Sequence, residues 1–246
     1  MARRPSRRAR PTAPRPAPTG PSGGTVRERI IAAFLALLAE RSFEDIGFAE
    51  IARRAGATLA DARGEFTSTL GILAAHVKAI DRQVLSGSDP DVEEETPRER
   101  LFDVLMRRLD ALAPHKEAVR SLMRSVRRNP PLALALNGIA VRSMQWMLTA
   151  ADIDAAGPRG LIRAQGLAVL FASVLRVWID DEEEGIGRTM ATLDRELGRG
   201  QRWVGLLDEL CRFFPPRCPR LRRRSRRDDR DYGDYDDDRD APPVRA

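Results

Sequence analysis

Residues 47–80 read GFAEIARRAGATLADARGEFTSTLGILAAHVKAI. A short helix, Ala49 to Ala55, buries Ile51 and Ala52 and stops at Gly56, where a left-handed backbone comes cheaply only to glycine. Thr58, with Asp61 three residues on, forms a capping pair that opens a second short helix to about Glu65. Phe66 to Ser68 interrupt the pattern. Ser68 then caps a longer helix, on which Leu70, Leu73, Val77, Ile80 and Val84 form one apolar stripe. Helix, tight turn, helix and support helix make a helix-turn-helix unit.

Working outward, Thr25 and Glu28 form a capping box ahead of a helix that places Ile30, Ile31, Phe34, Leu37 and Leu38 on one side. Phe43, Ile46 and Phe48 follow as core packing. Residues 1–24 alternate Arg, Pro, Ala and Gly, and are expected to be a disordered basic tail. Two readings of it stand open: a solubilising segment, or an arm lying along DNA phosphates or in a minor groove. The helix-turn-helix domain is assigned to 25–85, and the polar segment Ser86 to Glu95 follows as a connector.

A second, larger helical domain is assigned to 96–214. Thr96-Pro97-Arg98-Glu99 is a helix start with cap, first-turn proline and capping-box acid. Leu101, Leu105, Leu109 and Leu112 carry its stripe to Pro114. Further helices are expected at His115 to Arg127, Leu132 to about Ala150, Leu161 to Ile179 and Ile186 to Leu197, with Asn129-Pro130-Pro131 opening the second of these and Gly157-Pro158 breaking it. A last helix, Gln201 to Phe214, places Trp203, Leu206, Leu207, Leu210, Phe213 and Phe214 together. Residues 217–246 run from an Arg-rich block into an Asp/Tyr/Arg segment without apolar periodicity, expected to be disordered. No strand pattern and no repeat is present, so the fold class is all-α with about nine or ten helices.

The formal charge of +6 is unevenly placed. Arg3, Arg4, Arg7, Arg8, Arg10 and Arg15, in a segment with no acid, account for all of it. From Thr25 to Ile80, Arg27, Arg29, Arg41, Arg53, Arg54, Arg63 and Lys78 are matched one for one by Glu28, Glu40, Glu44, Asp45, Glu50, Asp61 and Glu65. A formally neutral unit is weakly drawn to phosphates. No apolar run approaches the ~20 residues of a membrane span, and the expected setting is cytoplasmic. Cys211 and Cys218 have no Cys or His partners at metal spacing and suggest no disulfide framework.

Chemistry-bearing clusters are sparse. His76 and His115 are isolated from any nucleophile motif or carboxylate pair. Asp180 to Glu184 lacks the alternating oxygens and central glycine of a metal loop. No glycine loop to cradle phosphates occurs. No catalytic residue, metal or cofactor is assigned. Phe102, Met106, Met123, Met144, Met147 and Phe171, with Trp146 and Trp178, are read either as ordinary core or as the lining of a cavity for a small apolar ligand.

The string IARRAG, followed by the Thr58-capped helix and by Phe66-Thr67-Ser68, resembles the TetR family of bacterial repressors, and the likeness extends over Thr25 to Leu210. The resemblance implies a DNA-reading N-terminal unit, a larger domain binding a small effector, and a homodimer formed by the last two long bundle helices. Candidate DNA contacts on this basis are Arg53, Arg54, Thr58, Leu59, Arg63, Thr67 and Ser68. Arg53 and Arg54 are equally readable as a solvated helix face. Where that family usually carries Tyr, His and Lys, this chain has Arg63, Glu65 and Thr69. Asp61 and Glu65 oppose phosphates unless they pair with nearby arginines.

Ala111 to Leu122 (ALAPHKEAVRSL) and Val177 to Leu197 (VWIDDEEEGIGRTMATLDREL) also resemble the lipid-binding family of ubiquinone biosynthesis, which shares the TetR-like fold without repressing transcription. That resemblance implies an amphipathic helix meeting membranes, a role that falls on residues 201–214; the other reading has that stripe packed on the bundle.

Overall fold

The computed structural model describes residues 24–87, 95–182 and 186–213. The basic arm, the charged C-terminal segment and the side chains of the 201–214 stripe lie outside the described residues. Among the described residues the chain is all-α, with nine α-helices and two 3-10 turns. The order is α1 (Val26–Glu40), a 3-10 turn (Phe43–Asp45), α2 (Phe48–Arg54), α3 (Leu59–Glu65), α4 (Thr69–Ser86), α5 (Pro97–Leu112), a second 3-10 turn (Ala113–His115), α6 (Lys116–Arg128), α7 (Pro130–Ala150), α8 (Gly157–Trp178) and α9 (Gly187–Phe213).

Side-chain caps set where most of these helices begin. Reciprocal capping boxes open α1 (Thr25, Glu28), α3 (Thr58, Asp61) and α5 (Thr96, Glu99). Ser68 caps α4 and Asn129 caps α7. Each satisfies first-turn N–H groups that have no partner within the helix.

α7 begins at Pro130, two residues before the expected Leu132, with both prolines in its first turn. Two larger differences lie further along the chain. α8 begins at Gly157, four residues before Leu161, because Gly157 takes a positive φ of 65° and Pro158 sits in the first turn, where no N–H is missed. Gly160 is required there: a Cβ would lie 2.0 Å from the carbonyl carbon of Ala155, which crosses over that turn. The helices expected at Ile186 to Leu197 and Gln201 to Phe214 are one helix, α9. Gly198 and Gly200 weaken it by about 1 kcal/mol each, but Leu193 and Leu197 are anchored in the core just before them.

The apolar stripes form two clusters. One gathers Ile30, Phe34, Leu37 and Leu38 of α1 with Ile51 and Ala52 of α2, Ala62 of α3, and Ile72 and Leu73 of α4. Ala118 and Leu122 of α6 and Leu132 of α7 join it. The other gathers α5, α7, α8 and α9, and takes Ile80 and Val84 from the far end of α4. α4 therefore belongs to both.

α8, 22 residues long, holds an 18-residue window with a mean hydropathy of 1.5 and so passes for a membrane span by length and composition alone, where no such run was expected. Its buried face (Ala164, Leu167, Ala168, Phe171, Val174 and Trp178) is committed to the second cluster.

Among the residues of the second cluster lies a buried polar joint. Arg108 of α5 donates to Asp81 Oδ1 of α4, and Ser143 Oγ of α7 donates to the same oxygen at 2.6 Å. All three residues are buried, and the Arg108 guanidinium lies 5.5 Å from the Phe171 ring centroid. One turn back on α4, buried His76 meets His115 edge-on, with ring centroids 4.9 Å apart. Burial, then His115 and Arg108, push the His76 pKa down to about 4.

Removing one partner of a buried ion pair strands the other charge, at a cost of about 3–5 kcal/mol, whereas replacing both with apolar groups costs far less. Urea denaturation is therefore expected to find Asp81→Ala destabilised by that amount and the Asp81→Leu, Arg108→Met double variant much closer to wild type; equal losses would refute the pairing. His76 stays neutral when folded and takes a proton once unfolded. The sign follows: stability is full above pH 6.5 and falls as pH drops towards 4. Between pH 7.5 and 5 this amounts to about 2 kcal/mol, and His76→Leu should remove that part of the decline. An unchanged pH slope would show that His76 is not its source.

Candidate nucleic-acid interface

α2 ends and α3 begins within four residues, and the turn between them is fixed from three sides. Gly56 carries a φ of 62°, the left-handed conformation that a Cβ disfavours. Ala57 N–H donates to Ala52 O at 3.0 Å, closing the end of α2. Arg29 of α1 donates from Nε to the carbonyl of Ala55 at 3.2 Å, fastening the turn to the first helix. Ala62 and Phe66 are buried against the N-terminal cluster. The opposite side of α3 is consequently held outward, with Leu59, Ala60, Arg63 and Gly64 exposed.

The acids around α3 are already occupied. Asp61 Oδ2 accepts from Thr58 Oγ1 at 2.7 Å and from Thr58 N–H at 3.1 Å, and these bonds lower its pKa below the usual carboxylate value. Glu65 pairs with Arg27 of α1 at 3.4 Å, and the Arg27 guanidinium lies 4.5 Å from the Phe66 ring centroid. The partner for Glu65 comes from α1 rather than from Arg53, Arg54 or Arg63.

The cations divide into engaged and available. Arg54 forms a two-pronged pair with Glu40, at 2.6 and 2.8 Å, which lowers the Glu40 pKa and raises that of Arg54. Arg41 pairs with Glu50 at 3.2 Å. Arg53 is only 3.8 Å from Glu50, with its side chain 78% exposed. Arg63 and Lys78 make no ion pair among the described residues. The unit is neutral by count, yet on α3 itself Arg63 has no ion pair among the described residues.

The seven candidate residues thus have different standing. Leu59, Arg63 and Thr58 lie on α3 or its cap, although the Thr58 hydroxyl is spent on Asp61. Ser68 caps α4 through a 3.1 Å bond from Gly71 N–H, with Thr67 exposed beside it. Arg53 is free to reach outward and Arg54 is held by Glu40.

Of the candidate ligand-lining set, Met144, Met147 and Phe171 are buried in the second cluster, and Phe102 and Met106 rest half-buried against it. Met123 is half-buried on α6. Phe102 also reaches an open groove of about 690 Å³ between α5 and α9, lined with Glu99, Asp103, Met190 and Asp194.

Sequence reasoning did not find the residues that tie α6 to the N-terminal unit. Ser121 Oγ donates to Arg41 O at 2.7 Å, Phe43 N–H donates to Ser125 Oγ at 3.0 Å, and Asn129 donates to Glu44 at 3.0 Å. Two serines four apart on the apolar side of a helix were the available signal, since a buried hydroxyl needs a partner.

No family model matches the sequence, and no curated protein does. Among solved structures, the chain is similar to a TetR transcriptional regulator from Nitrosomonas europaea ATCC 19718, with 22% identity over 72% of this chain and 98% of that one and a TM-score of 0.56. It is also similar to a TetR transcriptional regulator from Rhodococcus sp. RHA1, with 21% identity over 71% of this chain and 95% of that one and a TM-score of 0.52. The chain has the TetR-like fold.

Proposed function

We propose that this chain is a DNA-binding transcription regulator of the TetR type, acting as a homodimer in the cytoplasm. The observation that carries the reading is α3: a short helix pinned on its inner side and presented to solvent on its outer side, with its acids withdrawn and Arg63 unspent. A helix held this way fits a major groove. Arg53 and Lys78 add cations, and the exposed Thr67 hydroxyl adds a donor, for phosphates that position the helix without reading sequence.

Homodimer formation is supported by the surface of the bundle. Leu161, Ile162 and Val169 of α8 are more than half exposed, as are Leu134 and Trp146 of α7. A second copy laid along α8 would cover a face that is costly to leave in water. For a small apolar effector, the groove beside Phe102 and Met190 is better supported than Met144 and Met147, which are fully enclosed. Such a ligand acts only by preferring one arrangement of the two DNA-binding units.

Binding of the full chain to genomic fragments at several salt concentrations tests the proposal. Sequence-selective binding is expected, with Arg53→Ala reducing the salt slope by about 1 through a lost phosphate contact. Binding that is equally strong on all fragments would sink the regulator reading. In sedimentation equilibrium, Ile162→Glu with Val169→Glu should convert a dimer to monomer; a dimer that survives both places the interface elsewhere.

A further inference from the structure

The outer side of α3 carries few groups able to read bases by hydrogen bonds. Thr58 and Asp61 bond to each other, and Glu65 bonds to Arg27. Gly64 has no side chain, and Ala60 offers only a methyl. What stands out is Leu59, 56% exposed. It shares one face with Arg63, four residues on, and Ala60 lies three residues before Arg63 on the same side. The face is therefore two apolar groups beside one guanidinium.

An exposed leucine alone is unremarkable on a protein surface. Here, though, it sits on a helix whose inner side is locked by Ala62 and Phe66, and whose neighbouring Asp61 and Glu65 each have one carboxylate oxygen bonded within the protein. Base edges in the major groove offer one apolar feature, the C5-methyl of thymine, and one strong match for a guanidinium, the O6 and N7 of guanine.

Resting on the regulator reading above, we propose that this chain selects its DNA site chiefly through thymine methyl groups contacted by Leu59 and Ala60, with Arg63 supplying the polar contact. Discrimination then comes from burying methyl groups rather than from an amide or carboxylate code. Removing a buried methyl weakens binding by roughly fourfold for each thymine.

The test begins with the full chain and a random duplex library, selected to a consensus at fixed salt. Each thymine of the consensus is then replaced singly by deoxyuridine, which lacks only the C5-methyl. At one or two thymines per half-site, affinity should fall roughly fourfold. In Leu59→Ala the difference between thymine and deoxyuridine at one of those positions should vanish; the residue is exposed, so the variant folds. A selected consensus bound equally well with deoxyuridine at every position overturns the inference and leaves the regulator reading standing. If no consensus emerges from the library, both fall.

Discussion

Asp81 is a carboxylate buried on a helix that serves two cores, and the arrangement of the bundle depends on how its charge is met. The first half of α4 supplies Ile72 and Leu73 to the cluster beneath the helix-turn-helix, and the second half supplies Ile80 and Val84 to the larger bundle. Apolar packing is tolerant of sliding, because one methyl substitutes for another at small cost. A buried carboxylate is not. Asp81 must meet Arg108 of α5 and Ser143 of α7 together, and only one register of three helices allows it. Holding α4 in that register also fixes where its Ser68-capped end lies, and thus where α3 stands.

α6 adds a second constraint at the other side of the same unit. Its two buried serines hold the backbone of Arg41 and Phe43, the segment joining α1 to α2. Each bond is modest, about 1 kcal/mol, but both are directional and sheltered from water. The N-terminal unit is thus attached to the bundle by two polar seams, one through α4 and one through α6, with apolar contacts filling the space between. In the proposed function, a ligand that shifts either helix would alter the placement of α3 through those seams.

Much of this was legible in the sequence where the determining contacts are short-range. Capping pairs three residues apart, the glycine at 56 and the apolar stripes gave the helix-turn-helix and the all-α class, since each depends on neighbours within a turn. Glu65 was ambiguous because its partner, Arg27, is 38 residues away. Arg54 read as an available cation because Glu40 approaches it only once α1 and α2 are folded together. Asp81 carried no sign of burial beyond its place next to Ile80. The two helices expected at 186–197 and 201–214 run together as α9, through Gly198 and Gly200.

The charge balance of the N-terminal unit takes on a different meaning once its pairs are placed. A count of cations and acids treats every side chain as equally able to meet a phosphate, yet ion pairs and caps remove most of them from that role. What remains is Arg63, which has no ion pair among the described residues, and Arg53, exposed and 3.8 Å from Glu50, beside a helix whose carboxylates bond to its own cap and to α1. Few free cations imply few displaced counterions, so binding by such a unit depends weakly on salt. Its selectivity then has to come from the fit of α3 itself. In the proposed function, a surface that gives up electrostatic reach while exposing Leu59 would concentrate recognition on the one apolar feature of the major groove.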